Sequence, residues 1–105
     1  MNDRELLEWA AKAIDGEVFH YGECWRSPNG YEWNPLLNDG DALCLAVKLE
    51  ITPSKHEDTV VASRSASWRN GAAHCSLWEP TGDDPYAATR RAIVRAAAEI
   101  GKAMP

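Results

Sequence analysis

Between Trp33 and Val47 the chain reads WNPLLNDGDALCLAV, and this stretch leaves little freedom in how it folds. Pro35 restricts Asn34 to extended backbone and keeps a helix from starting early. Asn38 or Asp39 can offer a side-chain oxygen to the free amides of a first turn. Asp39 and Asp41 stand where the helix dipole favours negative charge. A helix is expected from Asn38 or Asp39 to about Glu50. Leu43, Ala46, Val47 and Glu50 form one row on it, with Ala42, Leu45 and Leu49 beside them. Leu36 or Leu37 can staple back onto Leu43. On this reading Leu43 to Val47 cover a sheet, and Cys44 is a small buried hydrophobe. The segment specifies a fold and carries no reaction.

The other elements follow from period and punctuation. Residues 3–15 form a first helix, capped by Asn2 or Asp3, with Leu7, Ala10, Ala11 and Ile14 on one face and Leu6 and Trp9 widening it. Asp15-Gly16 ends it. Residues 17–25 alternate as a strand. Ser27-Pro28-Asn29-Gly30 is a turn, and Tyr31-Glu32-Trp33 a short returning strand. Residues 51–58 hold a proline and many polar groups and read as a loop, with room for a short extended piece at its start. From Thr59 to Ser67 the chain alternates again, with Val61, Ser63 and Ser65 on one side and Val60, Ala62, Arg64 and Ala66 on the other, as in a strand with one wet face. Asn70-Gly71 then signals a hairpin whose return arm runs from Ala72 to Trp78. Asp84 caps a last helix with Pro85 in its first turn. Tyr86, Ile93, Ala97, Ile100 and Met104 make its stripe.

At 105 residues the chain is expected to form one domain over residues 1–105. The predicted class is α+β. Three helices pack on a small, mostly antiparallel sheet in an α-β-α sandwich, in the order α-β(-β)-α-β-β-α, with helices on both sheet faces. No apolar run reaches the about 18 residues of a membrane span. The N-terminal Met1-Asn2-Asp3-Arg4-Glu5 is acidic and helical, unlike a signal peptide. Three cysteines, an odd number without short spacing, do not form a disulfide framework. The expected location is the cytoplasm.

The run from Trp33 to Val47 and a second run near the end, Gly82-Asp83-Asp84-Pro85-Tyr86 through Thr89-Arg90-Arg91-Ala92-Ile93-Val94-Arg95 to Ile100-Gly101, have a further meaning. Together they resemble small phage and prophage proteins grouped as the phage ABA sandwich domain family. The likeness reaches from the first helix to the last, and residues 51–79 add nothing to it. It implies an α-β-α sandwich and a bacteriophage or prophage origin, hence a bacterial host cytoplasm. Its motifs are fold-making, and it supplies no catalytic residues.

Candidate functional groups fall into four sets. Asp39, Asp41, Asp83 and Asp84 could suggest a metal or acid–base site, but capping and dipole effects already account for them. His20, Cys24, His74 and Cys75 have the wrong spacing for zinc. On one continuous strand His20 and Cys24 stand roughly 13 Å apart. No metal, cofactor or catalytic set is therefore expected. The ordinary role of Trp25, Trp33, Trp68 and Trp78, with Tyr21 and Tyr31, is core and sheet packing, yet together they exceed what one small core easily hides. Five tryptophans in all point to an aromatic surface for a protein partner, a second copy of the chain included.

The fourth set is basic. Net charge is −5. Residues 1–83 carry seven basic and fourteen acidic groups, whereas residues 84–105 carry four basic against two acidic. Arg90, Arg91 and Arg95, with Lys102, are ordinarily a solvated helix face. The alternative is an anion or nucleic-acid contact on the last helix. The leading expectation is a non-enzymatic protein-binding accessory protein of phage or prophage. Nucleic-acid binding is the alternative.

Overall fold

A computed structural model describes residues 2–14, 17–22, 24–64 and 75–104. Three helices pack against two small antiparallel sheets, an α+β fold as expected. The elements in chain order are α1 (Asp3–Ala13), β1 (Phe19–Tyr21), β2 (Cys24–Arg26), β3 (Glu32–Trp33), α2 (Asp39–Leu49), β4 (Thr52–Lys55), β5 (Thr59–Arg64), β6 (Cys75–Pro80) and α3 (Pro85–Ala103). The strands divide into two sheets, β1-β2-β3 and β4-β5-β6, rather than forming one. The Asn70-Gly71 turn, Trp68, His74 and the Asp15-Gly16 stop lie outside the described residues.

All three helices start as their side chains dictate. Asn2 Oδ1 accepts from the Glu5 amide at 2.9 Å, and Asn38 Oδ1 from the Asp41 amide at 2.9 Å. Asp84 Oδ1 accepts from both Tyr86 and Ala87 amides at 3.1 Å, with Pro85 in the first turn. Helix α2 ends at Glu50, which takes the left-handed conformation at φ 58°. The Ile51 amide then bonds the Ala46 carbonyl at 2.8 Å, closing the helix end and turning Ile51 into the core.

Three local readings are corrected. The expected strand over 17–25 breaks at Gly22, whose φ of 68° suits glycine, so β1 and β2 form a hairpin pairing Tyr21 with Cys24. The segment 51–58 is less of a loop than expected: its extended start is a paired strand, β4, despite Pro53. Because β4 is an edge strand, a residue without an N–H is tolerated there. The largest correction concerns α2. Its buried side is Ala42, Leu45, Ala46 and Leu49, while Leu43 and Val47 are 64% and 69% exposed. Cys44 is also exposed, not a buried hydrophobe. Leu36 is buried, and Leu37 stays in solvent.

One core joins the helices to both sheets. Helix α3 touches β4, β5 and β6 and both other helices. Val60 and Ala62, which alternation puts on one side of β5, face the helices and are fully buried. The core-facing positions of α3 are largely small: Ala88, Ala92, Ala96, Ala97, Ala98 and Gly101. At Gly101 the backbones of α1 and α3 come so close that a Cβ would collide with the Trp9 carbonyl oxygen and lie 2.9 Å from its carbon. Gly101→Ala, which would gain about 1 kcal/mol in a free helix, should instead destabilise the protein by about 1–3 kcal/mol through overpacking. A urea titration followed by far-UV circular dichroism checks the sign.

Candidate binding surface

The first sheet has two unlike faces, because successive strand residues point to opposite sides. The inner row is His20, Trp25 and Trp33, which are direct cross-strand neighbours. Trp33 is 7% exposed and belongs to the core, and Trp25 packs against that core half-buried. The His20 ring tilts against the Trp25 indole with centroids 5.1 Å apart. The outer face carries Phe19 and Tyr21, exposed at 48% and 68%. Tyr31, 75% exposed, stands in the following turn. That turn is closed by the Gly30 amide on the Ser27 carbonyl at 2.9 Å, and Arg26 donates to the Gly30 carbonyl at 2.9 Å.

Between this sheet and α1 lies a cleft of about 370 Å³, whose walls include Arg4, Glu8, His20, Trp25, Glu32 and Trp33. Arg4 and Glu8 sit loosely paired, with Nε and Oε1 4.0 Å apart. The cleft therefore combines an indole wall with exposed charges of both signs. Such a surface suits a side chain that is apolar along its stem and polar at its tip.

Of the four tryptophans expected at a partner surface, the structure withdraws Trp33, which is core. The reason is position: Trp33 immediately precedes the Asn34-Pro35 corner, and the chain there turns inward. The Asn34 amide donates to Asp41 Oδ2 at 2.9 Å, and Asn34 Oδ1 accepts from the Leu36 amide at 3.1 Å. Asp41 therefore ties the corner to α2 as well as meeting its dipole. Trp25 borders the cleft. Trp78 is 64% exposed on the other sheet, opposite the core-facing side of β6, with the His56 ring stacked 6.4 Å away. Trp68 lies outside the described residues. Trp25, Trp33 and Trp78 do not share one face.

The arginines of α3 each hold a different element. Arg90 Nε donates to the Leu36 carbonyl at 2.9 Å and a terminal nitrogen to Asp39 Oδ1 at 2.6 Å, locking the corner before α2. Arg91 donates to Asp3 at 2.9 Å at the start of α1. Arg95 pairs with Glu79 and reaches the Trp78 carbonyl at 3.3 Å on β6. They are thus not simply a solvated face, the ordinary role of such residues. Asp39 and Asp84 are likewise engaged, one by Arg90 and the other in capping. The break at Gly22 places His20 and Cys24 on adjacent strands rather than along one, so the long separation argued from a continuous strand does not apply. Even so, no group of three or more His, Cys, Asp or Glu among the described residues is placed to hold a metal ion. No helix among them is long and apolar enough to cross a membrane.

Phe19 was not singled out in the sequence. Its strand alternates aromatic residues with Val18 and His20, and nothing local says which side is wet. Compared with protein-family models, curated proteins and solved structures, the chain finds no match.

Two pairs of variants separate the structural from the surface residues. Trp33→Ala should cost about 3–5 kcal/mol of unfolding free energy as a large core truncation, whereas Trp78→Ala should stay within about 0.5–1 kcal/mol. Arg90→Ala should cost about 1–3 kcal/mol, since it strips a carbonyl and a carboxylate of a charged donor. Arg91→Ala, an exposed pair, should cost under about 1 kcal/mol. Denaturant midpoints at constant m-value read all four.

Proposed function

We propose that this chain is a non-enzymatic protein-binding module whose contact surface is the first sheet, and that it is an accessory protein of phage or prophage acting in a bacterial cytoplasm. The observation that carries the binding reading is the exposure of Phe19 and Tyr21 side by side on the outer face of β1, with Tyr31 beyond them. Exposed aromatics in one small region favour association, because each removes a large area from water with few rotors to fix. β1 is moreover an edge strand, with backbone groups open to a further strand. The phage origin rests on the resemblance of the Trp33–Val47 and Gly82–Gly101 runs, and the α+β class agrees with it.

The alternative, nucleic-acid binding through Arg90, Arg91 and Arg95, draws less support. Each of those guanidinium groups is already paired with a carboxylate of its own chain. Neutralising phosphates would require giving up those pairs or sharing them.

The test is affinity capture from bacterial lysate by the immobilised chain and by a Phe19→Ser/Tyr21→Ser variant of equal thermal stability. A protein retained by the wild type, lost from the variant and indifferent to nuclease treatment supports the reading. Equal retention by both overturns the assignment of the surface. Retention that vanishes on nuclease treatment favours the alternative.

A further inference from the structure

Helix α2 is apolar on two opposite sides. Its inner side, Ala42, Leu45, Ala46 and Leu49, lies in the core. Gly40, Leu43, Cys44 and Val47 recur at i, i+3, i+4 and i+7 on the reverse side, and all four are exposed. A helix that is hydrophobic all round is normally buried all round. A solvent-facing helix surface would ordinarily carry charges at these positions. Here Leu43 and Val47 are about two-thirds exposed, and Leu37 just before the helix is more so.

We propose that this stripe is a self-association surface, on which α2 of a second copy packs antiparallel about a two-fold axis near Cys44. The spacing is self-complementary in that register. Residues whose numbers sum to about 88 face one another, so Val47 of each copy meets Gly40 of the other. A branched side chain then enters the gap that a glycine leaves. Leu43 faces its counterpart on one side of the axis, and Cys44 faces its own on the other. Small residues at both ends of the contact let two helices approach within about 8–10 Å.

Charge also selects the antiparallel arrangement. Asp39 and Asp41 stand in the first turn of α2, and Lys48 in the last. Antiparallel packing sets Asp41 of each copy beside Lys48 of the other and, in the same register, Asp39 beside Glu50, and the two helix dipoles lie side by side in opposite directions. Parallel packing would align acid with acid. Lys48 already bonds Glu17, yet an ammonium has further donors for a second carboxylate. Asp39 is held by Arg90 in its own chain. One 11-residue helix per copy makes a small interface, so the dimer is weak, with a dissociation constant on the order of 1–100 µM. This surface is separate from the first sheet and does not depend on the binding role given to that sheet.

Sedimentation equilibrium of the full chain under reducing conditions tests the proposal. The wild type should pass from monomer to dimer with rising concentration. Leu43→Lys and Val47→Lys, each at a position exposed in the single chain and so without effect on the melting temperature at concentrations where the chain is monomeric, should each weaken the dimer by about tenfold or more by burying a charge. A second readout tests the register. In a Cys24→Ser/Cys75→Ser background, a short bismaleimide should link two chains through Cys44, and Val47→Lys should suppress the link at equal concentration. A wild type that stays monomeric up to about 500 µM overturns the proposal. So does a dimer that both lysine variants leave intact. A dimer that forms without Cys44 linkage overturns the register.

Discussion

The close seat of α3 against its neighbours is the constraint on which the rest depends. Alanine and glycine on its buried sides let α1, α2 and the β4-β5-β6 sheet all approach one helix. Large side chains there would hold the layers apart and leave voids that the small chain could not fill. Gly101 marks the extreme, where two backbones nearly touch. The same helix then sends three arginines outward to three elements. Arg91 goes to the start of α1, Arg90 to the corner before α2, and Arg95 to β6. Helix α3 is thus both the packing centre and the polar clamp.

The corner at Trp33-Asn34-Pro35 is where the first sheet joins this frame. Trp33 enters the core, Asp41 reaches back to the Asn34 amide, and Arg90 caps the Leu36 carbonyl. The inner row of the sheet is thereby fixed with Trp25 and Trp33 inward. Since strand side chains alternate, Phe19 and Tyr21 must then face water. The exposed aromatic face is a consequence of which tryptophan the core takes.

Much of the frame was legible in the residues. Caps at Asn2, Asn38 and Asp84, the proline at the start of α3, and the turn at Ser27–Gly30 all rest on interactions within a few residues of each other. Alternation put Val60 and Ala62 on the same side of β5, and the tertiary structure made that side the inner one. Failures arose where two local answers were about equally good. Helix α2 is apolar on both sides, so periodicity alone could not say whether Leu43 and Val47 or Leu45 and Leu49 go inside. Alternation over 17–25 concealed the break at Gly22. Pro53 argued for a loop at a place where an edge strand accepts proline.

The sequence by itself determined where helices begin, where the chain turns and which residues are small enough for close contact. These are set by backbone sterics and by hydrogen bonds that close over three or four residues. Only the tertiary structure decided which apolar faces are covered. It buried Trp33 and left Phe19, Tyr21, Leu43 and Val47 in solvent, and it committed Arg90, Arg91 and Arg95 to Asp39, Asp3 and Glu79. Ion pairing joins residues as far apart as Asp3 and Arg91, and close packing joins Trp9 to Gly101, so both depend on how elements meet and cannot be read from either partner's neighbours in the chain.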